Sequence, residues 1–217
     1  MIPDYEKAAS LALETLINNN INEAPISPLP MIKRIPGVLV LSFAEISILT
    51  NMERGSLVSL FGANQDAATF YIGKENARYI VAYNKKLPLC AVQWAIAREL
   101  GHIILNHDGS RPEEIRMAEA YCFAHHLLFP RPLIHSIQEK GIRITKEVAG
   151  SVSGLHERYL SWIKNEPGVY ILPELNRAVR DHFSDYVDNF VEFQKYLSIE
   201  DNTPPVELGA YMDNYEE

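Results

Sequence analysis

The sequence predicts an α+β fold, with a small β-sheet, a pair of long helices and a helical C-terminal part. Two observations predict it. Short runs rich in Val, Ile, Tyr and Phe lie between residues 37 and 83, which is the pattern of strands. From residue 88 onwards the apolar residues recur at helical spacing instead. The length of 217 residues and the 47% of hydrophobic residues are typical of a globular domain with an appendage.

The predicted elements of the N-terminal half begin with a helix over residues 4–19, which Asp4 can cap. Residues 18–36 are rich in Asn and Pro, so we expect a connector there. Alternation and β-branched residues then predict, in order, a strand, a short helix and two strands, over 37–42, 43–50, 69–73 and 78–83.

The C-terminal half is predicted to be helical throughout. A first long helix over 88–106 is followed by a second that ends at Phe129, and a Ser-x-x-Glu capping box over 110–113 marks its start. Three shorter helices and one long helix follow, over 132–140, 145–150, 155–164 and 173–199. Residues 200–217 are predicted to be an acidic, poorly ordered tail.

The charge divides the chain into two regions. The net charge is −8 for the whole chain, +1 for residues 1–164 and −9 for residues 165–217. These values predict one domain over 1–164 and an acidic C-terminal helix and tail over 165–217. We expect no direct nucleic-acid binding, because a net negative protein lacks the positive surface that phosphates require.

Other features of the sequence predict a cytoplasmic protein. No apolar run approaches the ~18 residues of a membrane span. The N-terminus has neither the basic region nor the apolar core of a signal peptide. The two cysteines, Cys90 and Cys122, fit free thiols in a reducing compartment. We therefore expect no membrane association.

A narrow polar stripe lies on the first long helix. Arg98, Glu99, His102 and Asn106 fall within about 100° of each other on a helical wheel, and most other positions are apolar. A helix of this kind is buried, so the stripe must line a cleft or meet buried partners. The spacing from Arg98 to His102 is that of the zinc motif His-Glu-x-x-His, with arginine in place of the first histidine.

Three segments resemble the ImmA/IrrE family of zincin-like metallopeptidases, which are common in phages and other mobile elements. The segments are Ala97–His107, Met117–Pro130 and Val152–Leu160, and the resemblance covers roughly residues 68–164. It implies a zincin-like helix pair beside the sheet and a helix-turn-helix repressor as substrate or partner. In the intact motif, two histidines bind zinc and the glutamate activates the metal-bound water as general base.

The resemblance also implies three metal-ligand positions, and two of them are altered. The first holds Arg98 and the third holds Met117, whereas His102 remains as a ligand. A guanidinium has no acceptor and stays protonated, so Arg98 cannot bind zinc. Glu99 is then the remnant of a general base, without a metal-bound water to activate. We expect Arg98 to supply positive charge where the ion would lie, paired with a carboxylate such as Glu99 or another from the sheet.

Glu119 is a weaker alternative as a ligand. It points about 160° away from Met117 on the helical wheel. Its spacing from Arg116 is that of a helical i, i+3 pair, so we expect a solvated ion pair between these two residues instead.

His126 is the other weak alternative. His125 and His126 diverge by about 100° around the helix, so at most one of them could face His102. We expect both histidines to be partly exposed at the helix end. A nucleophilic pair of Cys122 with His126 has helical spacing but lacks a third, orienting group.

Two function classes remain open. The sequence favours a catalytically degenerate ImmA/IrrE-like protein that binds a regulatory partner, such as a helix-turn-helix repressor, and that needs no cofactor. The alternative is an active zinc-dependent endopeptidase that cleaves such a repressor with ligands from other positions. About one tightly held zinc per chain would favour the enzyme, and none would favour the binding protein.

Overall fold

A computed structural model gives the architecture of the protein and describes residues 2–53, 55–56, 66–74, 77–107, 110–160 and 168–200. The strands are β1 (Val38–Ser42), β2 (Ala67–Lys74) and β3 (Ala77–Tyr83). The helices are α1 (Tyr5–Asn18), α2 (Pro28–Lys33), α3 (Phe43–Thr50), α4 (Leu89–Ile104), α5 (Glu113–Leu128), α6 (Arg131–Glu139), α7 (Lys146–Ser153), α8 (Glu157–Leu160), α9 (Pro173–His182) and α10 (Ser184–Glu200). The predicted α+β class is confirmed.

The described strands form one sheet in the order β1–β3–β2. β1 runs parallel to β3, and β2 runs antiparallel to β3 with Thr69 opposite Val81. α3 begins directly after β1, because the Ser42 hydroxyl accepts a bond from the Glu45 N–H and the Glu45 carboxylate accepts one from the Ser42 N–H. β2 lies beside α4, which brings Thr69 next to the polar stripe.

The hydrophobic core lies between the sheet and the helices α1, α4 and α5. Leu13, Ile96 and Phe123 are among its fully buried side chains, one from each of these helices. α4 and α5 approach closely at Gly101, where an added Cβ would stand 3.1 Å from the Phe123 side chain. The glycine of the motif therefore permits the close packing of the two helices that carry the site.

The C-terminal helices α9 and α10 pack on the same core through Val179, Phe183 and Val187. The prediction of one continuous helix over 173–199 is wrong, because α9 ends at His182 and α10 begins at Ser184. The break lies at Phe183, whose side chain is fully buried. On the two sides of the break, α9 contacts α1 and α6, and α10 contacts α6.

Two further local predictions are wrong. The expected connector over 18–36 contains the helix α2, in which Pro28 occupies the first turn, where a missing N–H costs nothing. The capping box over 110–113 is not formed, since the N-cap of α5 is Pro112 and no side chain caps the helix there.

The predicted division of the chain at residue 165 stays a prediction. Residues 161–167 and the acidic tail over 201–217 lie outside the described residues. Among the helices that the structure describes, no helix combines the length and the apolar character that a membrane crossing requires.

Candidate functional site

The polar stripe of α4 divides into two clusters. The arginine cluster consists of Arg98, Glu99, Thr69 and Tyr121, and it joins α4 to β2 and α5. The histidine cluster consists of His102, His107, Arg111 and Glu119, and it joins the end of α4 to the middle of α5. The stripe thus meets buried partners at both ends, as its narrow width predicts.

In the arginine cluster, the Arg98 guanidinium lies against Glu99. Its Nε and one terminal nitrogen both donate to Oε1 of Glu99, at 3.0 and 2.7 Å. The same terminal nitrogen donates to the backbone carbonyl of Ala67 at 3.0 Å. The Thr69 hydroxyl donates to the other carboxylate oxygen of Glu99 at 2.8 Å. The predicted pairing of Arg98 with Glu99 is confirmed.

Because Glu99 is buried, the ion pair with Arg98 is important for the stability of the fold. Glu99 is 3% exposed, so its charge depends on the protein for compensation. The Tyr121 ring covers the guanidinium, with Cζ of Arg98 5.9 Å from the ring centroid. Burial alone would lower the pKa of Arg98, but the Glu99 carboxylate outweighs it and the pKa is raised. Arg98 is therefore a fixed positive charge at the first ligand position.

In the histidine cluster, the end of α4 turns the chain back on itself. Asn106 has a φ of 55°, in the left-handed region that asparagine tolerates better than most residues. The His107 N–H bonds to the His102 carbonyl at 2.9 Å, and the Asn106 N–H bonds to the Ile103 carbonyl at 3.1 Å. This is the Schellman arrangement at a helix C-terminus. It returns the His107 ring to His102, so that their Nδ1 atoms lie 2.8 Å apart.

Glu119 is the centre of the histidine cluster. Its Oε2 accepts from Nε2 of His107 at 3.0 Å and from the Arg111 guanidinium at 2.7 Å. Its Oε1 accepts from the backbone N–H of Asp4 at 2.7 Å. Glu119 is only 1% exposed, so the predicted solvated pair with Arg116 is wrong.

The reason for this error is the position of α1. On the helical wheel, the apolar stripe of α5 predicts the buried face and leaves the opposite face to solvent. α1 packs along α5, and the residue before α1, Asp4, reaches Glu119. The Cys122 thiol also faces α1, with its sulfur 3.5 Å from the Tyr5 carbonyl. α5 is thus covered on the side that the sequence alone leaves open.

The electrostatics of the histidine cluster favour neutral rings beside an ionised carboxylate. Burial lowers the pKa of His102 to about 3, and the nearby His107 and Arg98 act in the same direction. Burial also lowers the pKa of His107, although the bond to Glu119 opposes it. Burial would raise the pKa of Glu119, but the bonds from Asp4, His107 and Arg111 outweigh it and the pKa is lowered.

The remaining candidates lie in different surroundings. Met117, at the third ligand position, is half-buried. His125 and His126 are 5% and 0% exposed, so the expectation of partly exposed histidines is wrong. The last turn of α5 is buried as a whole, because Leu127 and Leu128 beside them are also inaccessible to solvent. Within the part of the chain that the structure describes, neither Cys90 nor Cys122 forms a disulfide.

A family-type zinc site needs three protein ligands whose lone pairs converge. Arg98 offers only donors, Glu119 already accepts three bonds, and His102 points Nδ1 at His107. Across the described ranges, no group of three or more His, Cys, Asp or Glu is placed to hold a metal ion. The residues present do not fit that site, and the ligand roles of His102, Glu119 and His126 stay predictions.

The fold and the α4–α5 pair, with its altered zinc motif, define a metallopeptidase-like domain. Residues 56–159 match the family model described as the IrrE N-terminal-like domain. Over this part of the chain, the match confirms the predicted resemblance to the ImmA/IrrE proteins. The matched range contains every side chain of both clusters. No curated protein and no solved structure matches the chain.

The sequence analysis missed two members of the site, His107 and Arg111. Both residues lie in the connection between α4 and α5. A helical wheel does not apply there, because these residues are outside the two helices. The signal that could have found His107 is Asn106, which follows an apolar helix directly and is a common residue at a left-handed helix end. A left-handed residue there turns the next side chain back toward the last helical turn.

Proposed function

We propose that the protein is a catalytically degenerate ImmA/IrrE-like protein that acts by binding a regulatory partner in the cytoplasm. The partner that the family resemblance suggests is a helix-turn-helix repressor of the same phage or mobile element. The contact of Arg98 with Glu99 is the observation that carries this proposal. It supports the proposal because a permanent cation then occupies the position that the resemblance implies for the first metal ligand, bonded to the residue that would act as general base.

The chemistry of the arginine cluster supports the loss of catalysis. A peptidase of this kind needs a metal-bound water and a carboxylate that can take its proton. Both oxygens of Glu99 accept bonds from the protein, two from Arg98 and one from Thr69. A divalent ion placed beside the guanidinium would meet like charge in a site of low dielectric.

The test combines metal analysis with a partner assay. The purified chain, incubated with Zn²⁺ and then dialysed, is expected to retain far less than the one zinc per chain of a catalytic site. The helix-turn-helix repressor encoded beside its gene is expected to bind and to remain uncleaved. Stoichiometric zinc, together with cleavage that Glu99→Gln abolishes, would contradict the proposal.

The alternative function is a zinc-dependent endopeptidase, and one observation favours it. His102, His107 and Glu119 are metal-binding residue types, and each lies within hydrogen-bond distance of the next. Rotation of the two rings would be needed before their lone pairs could converge on one ion. For this function, zinc-dependent cleavage should disappear in His102→Gln and in Glu119→Gln. It should survive in the matched control His135→Gln, at an exposed position of α6.

A further inference from the structure

The histidine cluster leaves one ring nitrogen of His102 available. Nδ1 of His102 and both ring nitrogens of His107 are engaged in hydrogen bonds. Within the described part of the chain, no hydrogen bond reaches Nε2 of His102, and this residue is half-buried rather than enclosed. The chemistry that Nε2 can offer depends on whether it carries a proton.

Glu119 sets the proton positions at one end of the cluster. It accepts from three N–H groups, and an ionised carboxylate has no proton to donate. Nε2 of His107 must therefore carry the proton that Glu119 accepts. At the other ring nitrogen of His107, the contact with Nδ1 of His102 holds a single proton, because two protonated nitrogens could not stand 2.8 Å apart.

Charge balance decides which histidine carries that proton. Arg111 already neutralises the single negative charge of Glu119, at 2.7 Å. A doubly protonated His107 would add a buried positive charge without a counter-charge, and such a charge is costly. His107 is therefore neutral, and its Nδ1 is bare. His102 then donates from Nδ1. A second proton on His102 would add a further positive charge near Arg98, so this ring is also neutral and its Nε2 is bare.

We propose that Glu119 and His107 are positioning residues that hold His102 in the tautomer with a bare Nε2. His102 then accepts a hydrogen bond at this atom from an N–H or O–H group of a bound polypeptide. The class of ligand rests on the proposed binding function, whereas the tautomer does not depend on it. A carboxylate or phosphate without a proton has nothing to donate, so this atom selects against such groups.

Nuclear magnetic resonance of the full chain labelled with ¹⁵N in histidine tests the tautomer. Long-range ¹H–¹⁵N correlations distinguish a bare ring nitrogen from one that carries a proton. The His102 signals are assigned by their loss in His102→Gln, and exposed His135 serves as the reference ring. We expect a protonated Nδ1 and a bare Nε2 at His102. A protonated Nε2 there would overturn the proposal.

Two variants separate positioning from mere packing. His107→Phe removes the acceptor, so His102 is expected to lose the Nδ1–H form and to move its proton to Nε2. His107→Gln keeps one acceptor and one donor, and is expected to retain the wild-type pattern. Unchanged His102 signals in a folded His107→Phe protein would show that the tautomer has another cause and would overturn the role of His107.

Diethyl pyrocarbonate reports whether the bare nitrogen is accessible. The ring attacks a carbonyl carbon of the reagent, the bond to the ethyl carbonate oxygen breaks, and the ring proton leaves with that group. Peptide mapping should show His102 modified at Nε2 in the wild type, and several-fold less in His107→Phe, relative to His135. No modification of His102 would overturn its role as an open acceptor. Zinc content measures the proposed function separately from both results.

Discussion

The arginine cluster and the histidine cluster lie one turn apart on α4, yet they keep buried polar groups in different ways. The arginine cluster balances one full charge with another, and Arg98 and Glu99 are neighbours in sequence. In the histidine cluster, Arg111 balances the charge of the single carboxylate, Glu119. Hydrogen bonds then connect Glu119 to His107, and His107 to His102. In the arginine cluster, the guanidinium of Arg98 is bonded to Glu99. In the histidine cluster, we infer that Nε2 of His102 remains available as an acceptor.

The comparison shows that neighbouring turns of one helix can be held by chemically different partners. Arg98 changes the charge of the first ligand position and engages Glu99. His102, one turn further on, keeps a neutral imidazole and a polar support that reaches α5. The two clusters can therefore be perturbed separately, and their responses should differ in size and in pH dependence.

The largest effect is expected for Glu119→Ala. The substitution leaves His107, Arg111 and the Asp4 N–H without their common acceptor, so the free energy of unfolding should fall by about 3–5 kcal/mol. Urea denaturation measures this loss. Glu119→Gln keeps one acceptor and should cost less. A loss of about 0.5 kcal/mol, typical of an exposed ion pair, would contradict the buried role of Glu119.

Removal of Arg98 should have the next largest effect. Arg98→Ala leaves a buried Glu99 carboxylate with Thr69 as its remaining side-chain donor, at a cost of about 3 kcal/mol in unfolding free energy. Glu99→Gln in the same background should restore part of that loss, since the uncompensated charge disappears. A double-mutant cycle measures the coupling. Unchanged thermal stability in Arg98→Ala would contradict the claim that Arg98 stabilises the buried Glu99 carboxylate.

The two clusters should also differ in their response to pH. The pKa of His102 is lowered from 6.5 to about 3 in the folded state, so between these values the unfolded chain binds the extra proton. Its contribution to stability is complete above pH 6.5 and decreases as the pH falls toward 3, by at most about 1.4 kcal/mol per pH unit. The lowered pKa of Glu119 adds a loss below 4.5 in the same direction.

Denaturation curves between pH 7 and pH 5 measure the histidine contribution, because the ordinary range of carboxylates lies lower. His102→Gln should flatten the curve in this interval, whereas Thr69→Val in the arginine cluster should shift it without changing its slope, since no titrating group is removed. An equally steep curve in His102→Gln would assign the pH dependence to another group.

The smallest effect is expected for Thr69→Val. The change has nearly the same shape but removes the hydroxyl bond to Oε2 of Glu99, and should cost about 1 kcal/mol. Thr69→Ser keeps the hydroxyl and is the matched control. A loss in Thr69→Val as large as that in Arg98→Ala would mean that the threonine, and not the arginine, is the main support of the Glu99 carboxylate.

The sequence predicts those parts of the fold that depend on local pattern. The strands near 69–73 and 78–83 and the helices near 88–106 and 132–140 all occur, with ends that move by a few residues. Alternation and helical periodicity are patterns within short stretches of sequence, so they can be recognised in one sequence alone. The break at Phe183 is different, because Phe183 belongs to a core cluster whose other members include residues far away in the sequence.

The candidate site is predictable at the arginine cluster and less so at the histidine cluster. The sequence predicts a carboxylate partner for Arg98, and Glu99 is one of the candidates that it offers. Glu119 is different because its surroundings come from α1, and the Asp4 bond spans 115 positions of chain. A helical wheel describes one helix and contains no information about which distant element covers it.

That bond from Asp4 has a practical consequence for work with the protein. Oε1 of Glu119 receives the main-chain N–H of the residue that begins the first helix. An affinity tag or fusion partner joined immediately before Asp4 would crowd this atom and disturb the histidines through the glutamate. Recombinant protein meant for binding or spectroscopy is better tagged at the other terminus, or with a long flexible spacer ahead of residue 4.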